Sequence, residues 1–131
     1  MKKILINLII FGLVILIIFI PFKISSSNYQ KLVNDRIGKV IEIQEADLGN
    51  ARIDMDEYDY FDSSYSKRIY FNDDPEIEYR YNYEKPRDRV HLTAFYKSAS
   101  VNVIGMETKY IHSIKVYFDS EGTIIKVKKL K

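Results

Sequence analysis

Three groups of side chains in this sequence have types and spacings that invite a chemical reading. The densest is Asp54-Met55-Asp56-Glu57-Tyr58-Asp59-Tyr60-Phe61-Asp62, whose carboxylates are hard oxygen donors of the kind Ca²⁺ takes. A calcium-binding loop of the helix-loop-helix type wants an acid or Asn at its fifth position, Gly at its sixth and Glu at its twelfth. Counted from Asp54, those places hold Tyr58, Asp59 and Tyr65. The ligand spacing fails, so the stretch reads as a solvated acidic loop or edge segment, and no metal ligand is assigned.

The second group is Tyr79, Tyr81 and Tyr83, set at every other position so that a strand would point all of them to one face. Helped by Tyr70 or Phe71 from the preceding strand, they would form an aromatic platform on which sugars or peptides could stack, with the hydroxyls as hydrogen-bonding handles. These three tyrosines are the candidate binding surface. Tyrosine is equally a strand-packing residue, and cross-strand aromatic pairs contribute about 0.2–1 kcal/mol each, so core packing is the competing role.

The third group is His91 and His112, the only histidines. Neither stands at a metal-ligand spacing, and both alternate with apolar neighbours as ordinary strand residues do. A Gly-x-Ser-x-Gly elbow, a phosphate-cradling loop and a dinucleotide fingerprint are all missing from the sequence. The absence of cysteine removes thiolate chemistry and a disulfide framework. Hence no catalytic residue, cofactor or metal site is assigned, and the expected role is non-enzymatic. A hydrolase using two carboxylates, or a His with a carboxylate, is the alternative. A cleft that holds His91 or His112 beside two acids would favour it, and both imidazoles lying apart on a flat sheet would remove it.

The elements that must position these groups begin with residues 4–22. Nineteen consecutive residues there carry no charge, and only Asn7, Gly12 and Pro21 interrupt Ile, Leu, Val and Phe. As a helix the run is about 28 Å long, close to the hydrocarbon thickness of a bilayer. Its sixteen Ile, Leu, Val and Phe residues favour insertion by about 5–10 kcal/mol. The run exceeds a typical signal-peptide core, and Pro-Phe-Lys-Ile-Ser-Ser-Ser follows it in place of an Ala-x-Ala site, which favours a retained anchor. Cleavage near Ser25–Ser27 is the rival. Lys2 and Lys3 on a very short tail favour a cytoplasmic N-terminus, placing residues 24–131 outside the cytoplasm; the charge difference between the flanks is small, so the opposite topology is the alternative.

Excluding Lys2 and Lys3, eighteen Lys and Arg face eighteen Asp and Glu, a balance that argues against nucleic acid as a partner. The balance hides a gradient. Residues 42–62 hold eight acids and one Arg, whereas residues 109–131 hold six Lys and two acids. Either the two segments pair within one fold or each is simply solvated. The basic end, with Lys126, Lys128, Lys129 and Lys131, could also touch anionic headgroups or an anionic wall polymer.

After the anchor, Ser25-Ser26-Ser27-Asn28 offers N-caps for a short helix whose face would carry Tyr29, Leu32, Val33, Ile37 and Val40. Gly38 is a plausible stop, and the alternation over residues 39–44 fits a strand as well. Strands are expected over residues 67–72, 76–84, 90–96, 101–104, 110–118 and 123–127. Turns at Asn72-Asp73-Asp74-Pro75, Lys85-Pro86-Arg87-Asp88 and Asp119-Ser120-Glu121-Gly122 separate several of them. The expected fold is α+β: a transmembrane helix in residues 1–23, then in residues 24–131 a short helix and a small antiparallel β-sheet covered on one face.

The segment Lys67-Arg68-Ile69-Tyr70-Phe71-Asn72-Asp73-Asp74-Pro75-Glu76-Ile77-Glu78-Tyr79-Arg80-Tyr81-Asn82-Tyr83 resembles a family of small Gram-positive membrane-anchored proteins catalogued only as a domain of unknown function. The distinctive part is this strand, acidic-Pro turn and Tyr-rich strand; the chain departs by running on through residues 85–131. The resemblance implies a bacterial cell-surface location and brings no activity and no site residues. The reading is therefore a single-pass, membrane-tethered extracytoplasmic binding or accessory module whose partner is an envelope protein or polymer. An immunity-like protein against a membrane-active toxin is a further alternative.

Overall fold

A computed structural model describes the backbone of residues 1–59 and 64–130, with side chains described there except at residues 20–26 and 59. The chain divides into two units, Met1–Leu32 and Val33–Lys131. One helix, α1 (Lys2–Ile43), contributes to both, so the expected anchor helix and short second helix are a single element.

In the first unit the stretch Lys2–Phe19 is long and apolar enough to cross a membrane, and none of it is buried against protein. In the second unit the helix turns amphipathic. Val33, Ile37, Val40, Ile41 and Gln44 recur at three- and four-residue steps and are all buried. The helix runs past Gly38 because burying Val40 and Ile41, at about 1.5–3 kcal/mol each, outweighs the roughly 1 kcal/mol that glycine costs. A strand over residues 39–44 would have turned Ile41 and Ile43 to the core together; the helical period buries Val40 with Ile41 instead. Glu45 ends the helix at φ 54°, with Ala46 N–H donating to Ile41 O and Glu45 N–H to Glu42 O. That is the Schellman pattern with Glu in the place glycine usually takes.

A short 3₁₀ turn, Leu48–Asn50, is capped by Asp47, which accepts from Gly49 N–H. Among the described residues seven strands then follow: β1 (Ala51–Asp59), β2 (Ser64–Phe71), β3 (Ile77–Glu84), β4 (Arg89–Tyr96), β5 (Val101–Asn102), β6 (Ile114–Phe118) and β7 (Ile124–Lys129). They form one antiparallel sheet in the order β1-β2-β3-β4-β6-β7, with β5 beside the end of β4. The expected turns are present: Pro86 sits in a 3₁₀ turn closed by Asp88 at φ 38°, and Gly122 takes φ 86° in the β6–β7 hairpin. The acidic stretch is an edge strand as far as Asp59, and its last three residues lie outside the described residues.

One sheet face packs on the helical residues 33–44. Register sets Tyr65 opposite Tyr83, Ile69 opposite Tyr79, Tyr81 opposite Leu92 and Leu92 opposite Ile114, all buried. The other face carries Ser66, Arg68, Arg80, Asn82, His91, Lys115 and Lys128, in agreement with a half-polar sheet covered on one side.

Candidate functional site

The alternation that aligned Tyr79, Tyr81 and Tyr83 is correct, but their face is the inner one. All three are at most 1% exposed, so they are core residues and not a platform open to ligands. The physical reason is cover: α1 lies over the rings, and each hydroxyl is satisfied from within. Tyr81 Oη donates to Gln44 Oε1, whose Nε2 donates to Ile111 O at 2.7 Å. Tyr79 Oη donates to Asp74 at 2.6 Å and Tyr83 Oη to Asp88 at 3.0 Å. Burial, then the adjacent Asp74, pushes the Tyr79 phenol upward, and burial does the same at Tyr81. Sequence alternation identifies a face but not which side the helix occupies.

Tyr79 also joins Phe71 and Tyr110, with ring centroids 5.4 and 5.9 Å away, tying the loop before β6 to the β2–β3 turn. Tyr110 Oη and Lys109 Nζ both donate to Asp73, at 2.7 and 2.6 Å. Next to them His112 lines a shallow concavity of about 490 Å³. Its ring nitrogens lie 2.7 Å from Ser113 Oγ and 2.9 Å from Met106 O, so hydroxyl and backbone hold it in place of a carboxylate pair.

The surface left open is the outer sheet face. Pairing across six strands aligns Glu57, Ser66, Asn82, His91, Lys115 and Lys128 in one row. Toward the β4 start, Ser64, Ser66, Asn82, Glu84, Arg87 and His91 line a concavity of about 510 Å³. Ser66 Oγ donates to Asn82 Oδ1 at 2.6 Å. His91 Nε2 is buried with no hydrogen-bond partner among the described residues. Burial, then the Lys115 charge opposite, lowers the His91 pKa and keeps the ring neutral at neutral pH. Glu84, the one acid among the described residues of this concavity, is engaged by Arg89 at 2.6 Å. Among the described residues the two histidines thus lie in separate places, neither beside two acids, and no three His or acidic groups gather as a metal site.

Further along this face Arg80 stacks on Phe95 with 3.9 Å to the ring centroid, and its guanidinium pairs with Glu78. Glu78 also accepts from Tyr70 Oη. Burial and the Glu78 hydrogen bond push Tyr70 up to about 12. Lys115 and Lys128 face each other across β6 and β7, and no carboxylate pairs with either among the described residues. Like charges directly opposite cost stability in a sheet. Hydroxyl, amide, neutral imidazole and two ammonium groups in one row make a donor-rich surface suited to polar or anionic groups. The period-two alternation contains this row, since it is the complement of the tyrosines.

Residues 1–81 match the family described as "Protein of unknown function (DUF3139)". The chain belongs to the DUF3139 family. No curated protein and no solved structure matches it. The DUF3139 match runs through α1, β1 and β2 and ends within β3, at Tyr81, so it contains most of the Tyr-rich segment through which the resemblance was recognised. Asn82, His91, Lys115 and Lys128 of the open row lie beyond it.

Proposed function

We propose that this DUF3139 protein is a membrane-tethered binding or accessory module of the cell envelope, with residues 24–131 outside the cytoplasm. The observation that carries the reading is α1 itself. Its first eighteen residues, Lys2–Phe19, are unburied and, after Lys2 and Lys3, carry no charge, while its last turns supply Val33, Ile37, Val40 and Ile41 to a folded core. An apolar helical surface of that size is tolerated in lipid and is an aggregation hazard in water. That α1 passes through residues 25–27 without a break supports retention over removal as a signal.

Binding in place of catalysis is favoured by the open row of polar groups and by the separation of both imidazoles from paired carboxylates. Lys115 and Lys128 direct the proposal toward an anionic or polyhydroxyl envelope component.

The test is protease shaving of intact cells with tags at both ends. The expected result is a membrane-bound chain whose C-terminal tag is lost to external protease while the N-terminal tag is protected. A mature polypeptide recovered free in the medium and starting near Ser27 would overturn the tether. Protection of the C-terminal tag would overturn the topology.

A further inference from the structure

The acidic strand β1 and the basic strand β7 do not meet within one copy; they form the two opposite edges of the sheet. β1 has only β2 as a neighbour and carries Asp54, Asp56 and Glu57; β7 has only β6 and carries Lys126, Lys128 and Lys129. Four strands separate them, about 24 Å along the sheet at about 4.8 Å per strand. Each edge presents a row of backbone groups without a strand partner, which is the usual template for adding a strand.

We infer that β1 of one copy pairs antiparallel with β7 of a second copy, extending the sheet head to tail. Strand parity permits it. The path β1-β2-β3-β4-β6-β7 has six antiparallel strands, so β1 and β7 run in opposite directions. A second copy translated along the sheet therefore brings its β1 antiparallel to β7, with the helix-covered faces on the same side.

One register matches side chains as well as backbones. Setting Glu57 opposite Lys128 places Asp56 opposite Lys129 and Tyr58 opposite Val127. The faces agree at each position. Within the chain, Glu57 pairs with Ser66 and Lys128 with Lys115, on the open face. Asp56 pairs with Lys67 and Lys129 with Ile114, on the inner face, as do Tyr58 with Tyr65 and Val127 with Val116. Val127 is 47% exposed at the bare edge and would be covered by Tyr58. Asp56 already has Lys67 at 3.8 Å, whereas among the described residues Glu57 and Lys128 have no ion partner.

Edge charges usually discourage pairing, and here they discourage only the like-with-like pairs, β1 on β1 and β7 on β7. The surviving combination is heterologous, which builds a ring or a row of copies and not a two-fold dimer. This assembly shares Lys128 with the open-face row proposed above, but it is carried by the strand edges and its test reads association between copies with no ligand present.

The cysteine-free chain allows a direct test. Full-length Glu57→Cys and Lys128→Cys proteins are mixed in detergent micelles and mildly oxidised. Directly opposed residues have the Cα separation a disulfide needs, so the mixed 57–128 species should exceed either same-position species by about tenfold. Equal yields of all three, as association through the apolar helix alone would give, overturn the inference. Absence of the mixed species overturns it too. In parallel, Glu57→Lys and Lys128→Glu should each weaken association about tenfold, and mixing the two should restore it. Charge variants that associate like the parent, or a mixture no stronger than its parts, reject the β1–β7 pairing.

Discussion

Arg36 is the residue on which the helix and the sheet are fastened. Its guanidinium is almost wholly buried, donates to both Asp88 oxygens at 3.0 and 3.3 Å and to Asp35 at 2.7 Å, and lies over the Phe118 ring at 5.2 Å. The Asp88 hydrogen bond raises the Arg36 pKa further. Asp88 can present its carboxylate there because it sits in the left-handed region, and Tyr83 Oη donates to the same oxygen that accepts Arg36 Nε. Gly122 closes the cluster from the β6–β7 hairpin at φ 86°, where Lys39 Nζ donates to its carbonyl at 2.6 Å. A Cβ on Gly122 would stand 2.8 Å from Arg36 Cζ. Gly122→Ala should therefore cost about 2–4 kcal/mol in urea unfolding, from left-handed strain plus displacement of a buried ion pair. In an Arg36→Ala background the same change should cost only about 1 kcal/mol, the backbone part alone; a double-mutant cycle reads the difference.

His91 gives the residue scale its pH dependence. Asn82 of β3 and Lys115 of β6 flank it, Glu84 and Arg89 lie nearby, and its folded pKa is below the ordinary 6.5 through burial and the Lys115 charge. The unfolded chain then binds the proton more readily, so stability falls as pH drops through about 6.5 and levels off below the folded value. His91→Gln should flatten the thermal-midpoint profile between about pH 7 and pH 5. The depressed carboxyls act in a lower window. For Glu78, burial acts upward but the Tyr70 and Arg80 hydrogen bonds outweigh it, and that stability is lost only as pH falls below about 4.5.

At the scale of elements, α1 is longer than its sequence advertises because tertiary packing overrides a local stop. Gly38 lies inside the helix, and a Cβ there would meet nothing within 4 Å. Gly38→Ala should raise stability by about 0.5–1 kcal/mol, seen as a higher urea midpoint at unchanged slope. A loss would mean that this turn is not helical. The strands were more legible than the helix boundary, since period two with Pro or Gly at the turns leaves few alternatives, and all three turns fall where Pro75, Pro86 and Gly122 predict them. The inner assignment of Tyr79, Tyr81 and Tyr83 was not legible. Deciding it requires knowing that Arg36 of α1 and Gln44, just past its end, reach across to the sheet, contacts spanning 52 and 37 residues that no local pattern announces. The charge gradient was plain in the sequence, but its placement on two far edges depends on strand order.

At the scale of the molecule, the folding unit and the family match do not coincide. The match ends at Tyr81, yet Tyr79 and Tyr81 are buried by Ala94 and Leu92 of β4, and β6 adds Ile114, Val116 and Phe118 to the same core. Every buried apolar side chain described lies at or after Val33. Two truncations follow with opposite outcomes. A fragment of residues 27–131 keeps the whole core and loses the unburied apolar stretch, so it should be soluble without detergent and melt in one cooperative transition. A fragment of residues 27–84 retains the last turns of α1 with β1, β2 and β3, but it strips β3 of its β4 partner and removes the β4 and β6 side chains that flank the tyrosines. Fully exposing a large apolar or aromatic side chain costs about 1.5–3 kcal/mol, and uncovering Ile77, Tyr79, Tyr81 and Tyr83 in part already rivals the 5–15 kcal/mol total of a small domain. The shorter fragment should show no cooperative melt and rapid amide exchange throughout β3. A sharp transition from it would mean that strands β4 to β7 are dispensable to the core.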